Sequence, residues 1–246
     1  MDQEDSCIVR HFNYYLELSK EDKNLLFDLE KSPTNIKSGM QLWEEGDRAR
    51  EFCTLSAGWA YSYRHLENGS RQIFEIFLPG DIIGLREFAF SERLAGVQMA
   101  EDGVICHFPH QHILELIRRS YTLTTVLFAI SSRQQVLLTE RLVNLARRNA
   151  RQKLSHLLLE MYQRLQQTEA VGSGSFRLPL SQELLADLLG LSSVHVSRTF
   201  TALGEDGLVY RERHRVTIPD LEALKREVAF DNRYLIDNMR PLFNGH

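Results

Sequence analysis

"LPLSQELLADLLGLSSVHVSRTFTALGEDGLV" runs from Leu178 to Val209, and its punctuation decides the reading. Ser181 stands just before a run that places Leu184, Leu185, Leu188 and Leu189 at helical spacing. A serine there is an N-cap, its hydroxyl accepting from an orphan N–H of the first turn. Gly190 follows, where glycine ends a helix and turns the chain at little steric cost. Ser192 or Ser193 then caps a second helix with Val196, Phe200 and Leu203 facing inward. Ala186 is small where the two helices approach each other. The pattern predicts a helix-turn-helix whose second helix is free to lie in a major groove.

The outward face of that second helix carries Ser193, His195, Ser197, Arg198 and Thr201. Arg198 can give paired hydrogen bonds to guanine O6 and N7, and the neighbours can reach phosphates or base edges. Ser181, Gln182 and Ser192, at the two helix starts, complete the candidate contacts there. Beyond Gly207 comes "LVYRERHRVTIP", with Arg211, Arg213, His214 and Arg215. This reads as a two-stranded wing whose basic tip, with Arg211, Arg213 and Arg215, follows the phosphate backbone. A bare helix pair could equally be a packing hairpin. The wing, and a long helix upstream, favour double-stranded DNA as partner.

That upstream helix lies in the fifty helical residues after Pro109. Leu123, Leu127, Ile130 and Leu137 follow a 4-3-7 spacing, with Gln134 and Arg141 on the same seam. Such a seam predicts dimerisation, its polar members fixing the register. Packing of this helix on its own β domain is the alternative. A second helix, Ala150 to Gln167, has one apolar face of Leu154, Leu157, Leu158, Met161 and Leu165. A polar loop, "TEAVGSGS", follows it.

From Thr34 to about Pro109 the texture is β: short aromatic and β-branched runs broken by Gly and Pro. Asn68-Gly69 predicts a hairpin with a type I′ turn, in which both central residues need φ > 0. Several such strands suggest an antiparallel roll or barrel. Ahead of it, Ser19 and Asp22 form a capping-box pattern for a helix carrying Leu25, Leu26 and Leu29, which Ser32-Pro33 ends. At the other end, Leu221, Leu224, Val228 and Phe230 suggest one more helix. The fold class is therefore α+β. An N-terminal β-roll sensing domain (1–118) is joined by a dimerisation helix (119–149) to a C-terminal winged helix-turn-helix with a helical tail (150–246).

The 246 residues are 43% apolar and 25% charged, enough for packed cores, and carry a net charge of −4. Attraction to nucleic acid must then rest on local charge placement. No apolar run approaches a membrane span, and the acidic start "MDQEDSC" is wrong for a signal peptide, so a cytoplasmic location is expected. Cys7, Cys53 and Cys106 are far apart and odd in number, which argues for reduced thiols. His107, His110 and His112 in "CHFPHQH" have no recognised ligand spacing, and His11 is a comparably weak haem candidate. No nucleophile elbow, phosphate loop or spaced metal ligands are present, so no enzyme activity is expected.

At this point the sequence resembles the Crp/Fnr family of bacterial transcription regulators over nearly its whole length. "SGMQLWEEGDRAREFCTLSAGWAYSYRHLENGSRQIFEIFLPGDIIGL" is similar to that family's effector-sensing β-roll. "LSQELLADLLGLSSVHVSRTFTAL" is similar to its winged helix, with the Val-x-Arg signature at Val196-Ser197-Arg198. The resemblance implies a homodimer on a near-palindromic site, with RNA polymerase as a further partner. Val194 stands where the family usually has a glutamate. Members that bind cyclic AMP carry Gly-Glu after the Pro-Gly-Asp corner and Arg-Ser about ten residues on. Here Leu85 and Leu94-Ala95 occupy those places, with Arg86 and Arg93 nearby. The expectation is a small effector other than cyclic AMP or a dimer that binds DNA with no effector, the identity of any effector or cofactor being open. Too few cysteines are present for a four-thiolate iron–sulfur cluster within one chain. The rival reading is a small-molecule or redox sensor acting through protein contacts, given Val194 and the acidic Glu205-Asp206.

Overall fold

A computed structural model describes residues 6–168, 171–172 and 174–236. The first residues of the N-terminal segment, part of the polar loop and residues 237–246 of the tail lie outside the described residues. The chain divides into two compact units, 6–64 with 75–134 and 65–74 with 135–236. The division falls inside one long helix.

The first unit opens with α1 (Cys7–Tyr15) and α2 (Lys20–Phe27). Ser19 caps α2 as expected: its hydroxyl accepts from the Asp22 N–H, and the Asp22 carboxylate accepts from the Ser19 N–H at 3.0 Å. Then come β1 (Pro33–Ile36), β2 (Gln41–Trp43), β3 (Glu51–Ala57), β4 (Ala60–His65), β5 (Arg71–Phe77), β6 (Ile82–Ile83), β7 (Gly96–Met99) and β8 (Gly103–Pro109). They form two antiparallel four-stranded sheets, ordered β1-β8-β3-β6 and β2-β7-β4-β5. Trp43, Leu55, Phe77, Ile83, Val97 and Ile105 from both sheets pack into one core. Alternating strands with one inward face produce this roll.

Helices α3 (His110–Arg119) and α4 (Tyr121–Arg147) follow. A second core joins Phe12 and Tyr15 of α1, Leu26 of α2, Phe108, Leu116 of α3, and Leu123, Val126, Leu127 and Ile130 of α4. The apolar residues of the expected dimer seam lie on this inward side of α4. Leu123, Leu127, Ile130 and Leu137 are buried within their own chain. Gln134 lines a void inside the β-roll. Arg141 donates to the Phe74 carbonyl and, at 3.1 Å, to Glu160. The apolar spacing marked the inward face of α4. Its outward face holds Tyr121, Phe128 and Leu142, set at multiples of seven, with Phe128 74% and Leu142 68% exposed.

The hairpin at Asn68-Gly69 forms, but its turn differs from expectation. Gly69 alone of the pair has positive φ, at 81°. The Gly69 N–H donates to the Leu66 carbonyl at 2.9 Å, and Leu66 N–H to the Ser70 carbonyl at 2.8 Å. This is a type I turn closed by a left-handed glycine, the three-residue hairpin loop.

The second unit continues with α5 (Ala150–Thr168), β9 (Ser175–Arg177), α6 (Gln182–Leu189), α7 (Ser193–Glu205), β10 (Tyr210–Glu212), β11 (Arg215–Thr217) and α8 (Leu221–Glu227). The small sheet is ordered β10-β11-β9, so the wing has a third strand, which starts at the last residue of the segment read as loop. The tail packs on α5: Phe230 and Tyr234 meet the His156 ring at 4.8 and 6.1 Å between centroids. Gln167 Nε2 donates to the Leu235 carbonyl at 2.7 Å.

Candidate nucleic-acid interface

The site is built on two capped helices. The Ser181 hydroxyl accepts from the Leu184 N–H at 3.1 Å and starts α6. Gly190 ends it in the left-handed region, at φ 59°. A Cβ on Gly190 would lie 3.3 Å from Leu145 Cδ2, so glycine serves both the turn and the close approach. Ser192 accepts from the His195 N–H at 3.2 Å and starts α7. Val196, Thr199, Phe200 and Leu203 hold α7 against the unit. Burying such a side chain contributes roughly 1.5–3 kcal/mol, which fixes the helix's roll.

That roll decides what is presented. With 196, 200 and 203 inward, positions 194, 197, 198 and 201 form the opposite stripe, since residues three and four apart share a face. Val194, Arg198 and Thr201 are exposed and Ser197 half-buried. The Arg198 guanidinium makes no hydrogen bond or ion pair with any described residue. The His195 ring sits aside, its Nδ1 3.1 Å from the Ser192 hydroxyl. Ser181, Gln182, Ser192 and Ser193 are exposed at the helix starts.

On the wing the predicted arginines separate. Arg213 stands at the turn with φ 51°, exposed, beside exposed His214. Arg215 is exposed and donates to the Ser175 hydroxyl at 3.2 Å. Arg211 differs. Its guanidinium lies 4.9 Å from the Phe200 ring centroid and donates to the Leu180 carbonyl at 2.6 Å. Burial holds it below the usual arginine range. Arg211 therefore braces the wing against α7 and the segment that leads into α6. Asp206, which opposed the nucleic-acid reading, pairs with Arg151 at 2.6 Å.

Sequence reasoning missed Arg71, which fixes α6 from outside the motif. Its Nε and Nη2 both lie 2.7 Å from Asp187 Oδ2, and Gln72 Nε2 donates to the Asp187 carbonyl at 2.8 Å. An Arg-Gln pair at the start of a strand carries no local signal for this.

Inside the β-roll the expected effector place is already furnished. Arg93, 2% exposed, lies 3.8 Å over the Trp43 ring, donates to the Glu51 carbonyl, and has Nη1 3.9 Å from Glu87. Burial lowers the Arg93 pKa and raises that of Glu87, each charge partly offsetting the other's desolvation. Gly84, at φ 101°, makes room: a Cβ there would fall 2.8 Å from Arg93 Nη1. The void beside it, lined by Ser62, Glu75, Leu85 and Glu87 among others, is about 10 Å³, room for a single water. Among the described residues no group of three His, Cys, Asp or Glu could hold a metal ion. His107 faces Glu51 at 3.0 Å, His110 packs on Phe52, and His11 Nδ1 lies 2.9 Å from the Gly80 carbonyl.

Residues 33–120 match the family model of the cyclic nucleotide-binding domain, and residues 152–227 that of the Crp-like helix-turn-helix domain. The chain is 29% identical over 223 residues to the transcriptional activatory protein AadR of Rhodopseudomonas palustris, covering 88% of this chain and 87% of that one. It is 26% identical over 205 residues to the transcriptional activator protein FnrA of Stutzerimonas stutzeri, covering 83% and 84%. FixK2 from Bradyrhizobium japonicum shares the fold, with a TM-score of 0.71 at 21% identity over 79% of this chain and 96% of that one. So does a CRP-family regulator from Thermus thermophilus, at 0.64 and 19% over 80% and 97%. With both domain models matched in order and such regulators as relatives, the chain belongs to the Crp/Fnr family of DNA-binding transcription regulators.

Proposed function

We propose that the chain works as a homodimer on a near-palindromic operator, each copy laying α7 in one major groove. The observation that carries this is the outward stripe of α7, with Arg198 exposed beside capped helix starts. The outward apolar face of α4, Tyr121, Phe128 and Leu142, supplies the dimer contact in place of the buried seam. Arg213 and Arg215 meet phosphates, while Arg211 holds the wing in place. The work is cytoplasmic, where the DNA is, and RNA polymerase is the further partner that family membership suggests.

The filled β-roll supports binding without cyclic AMP. Leu85 and Leu94 offer no charge to a cyclic phosphate, and the remaining void is lined by Glu75, Glu87 and Arg86, the last paired with Glu87 at 3.5 Å. The test is selection of bound sequences from random duplex DNA by the purified protein at two salt concentrations. A palindrome with half-sites about one helical turn apart is expected. Absence of any enriched motif would overturn the reading.

A further inference from the structure

We propose that Val194 reads the methyl group of a thymine beside the guanine that Arg198 contacts, making it a specificity-determining residue of the operator. The proposal rests on the DNA-reading role of α7 stated above.

Val194 is 55% exposed on the first turn of α7. A β-branched residue there gains little from packing and is a poor helix former. It lies four residues before Arg198, hence one turn away on the same face, opposite buried Val196 and Phe200. The first residues of a recognition helix approach base edges most closely. Its immediate neighbours point the polar way: Ser193 is exposed at the helix start, and His195 is turned toward Ser192. On the DNA side the major groove offers one apolar landmark, the thymine C5-methyl. Val194 is the apolar group of the stripe and fits it. Four residues rise about 6 Å along a helix, and base pairs are about 3.4 Å apart. The thymine is therefore expected within about two base pairs of the guanine read by Arg198.

The test replaces each thymine of the selected operator, one at a time, with deoxyuridine, which lacks only the methyl group. Binding is measured for the full-length wild type and for Val194→Ala. At one thymine per half-site, the wild type should bind deoxyuridine about fourfold more weakly, the value of one buried methyl-sized group. Val194→Ala should bind both duplexes equally, and Val194→Ile should restore the difference. Equal deoxyuridine sensitivity of wild type and Val194→Ala at every thymine would overturn the assignment and leave the DNA-reading role standing. A wild type with no sequence preference would overturn the role itself. If Val194→Ala binds no duplex, Val194→Ser, which keeps the volume of a small side chain and lacks both methyls, gives the same comparison.

Discussion

Acid should loosen the winged unit through one histidine. His156 is 2% exposed, between Phe230 and Tyr234, with Nε2 3.5 Å from the Tyr234 hydroxyl. Burial, with Arg148 adding to it, pushes its imidazole down from the ordinary 6.5 to about 4, and Glu160 only partly opposes this. The folded state therefore holds His156 neutral while the unfolded chain binds a proton below 6.5. Stability from this group is fully present above that value and is lost as pH falls toward about 4. At about pH 5 the unfolded histidine lies about 1.5 units inside its charged range, and each unit is worth about 1.4 kcal/mol. The loss between about pH 7 and pH 5 is then about 2 kcal/mol. The assay is amide hydrogen exchange of α5 and α8, corrected for the intrinsic pH dependence, in the parent and in His156→Phe. Phenylalanine keeps the aromatic packing and removes the titration. The parent should lose about 2 kcal/mol more protection than the variant. Equal losses, or an imidazole that titrates near 6.5, would refute the reasoning.

Three further outcomes follow from the geometry. Arg198→Ala should lose preference at one base position per half-site, about 1–3 kcal/mol, read by repeating the sequence selection. Arg213→Ala should weaken binding evenly across sequences and reduce the salt slope by about one, whereas Arg211→Ala should lower the melting temperature of the winged unit through its lost brace on Phe200 and Leu180. Phe128→Glu with Leu142→Glu should give folded monomers in sedimentation, while Leu123→Glu, which buries a charge in the core, should fail to fold.

The helix-turn-helix was legible because its signals are local. Ser181, Gly190 and Ser192 act within four residues of themselves, and the caps form where the spacing puts them. The capping box at Ser19 was legible for the same reason. The α4 seam was legible as an apolar face but its covering was not, because periodicity reports which face is apolar, not what covers it. Phe12 and Tyr15 from α1, far away in sequence, share a core with Leu123 and Ile130. The outward Phe128 lies in the unbroken apolar run Val126 to Ile130, and Leu142 lies beside Val143, so spacing alone does not single out the outward face. The seat of Arg211 on Phe200 was not legible, because nothing near Arg211 in the sequence announces it. The strand β9 is three residues long and follows glycines, too short for an alternation to register.

Arg93 stacked on Trp43 has a consequence for how such a regulator is controlled. A guanidinium tethered inside the slot behaves as a ligand at very high effective concentration, always present and never diluted. Any small molecule entering must displace it from the indole and leave Glu87 without its counter-charge. An effector that used this slot would therefore bind with an affinity reduced by the cost of that displacement.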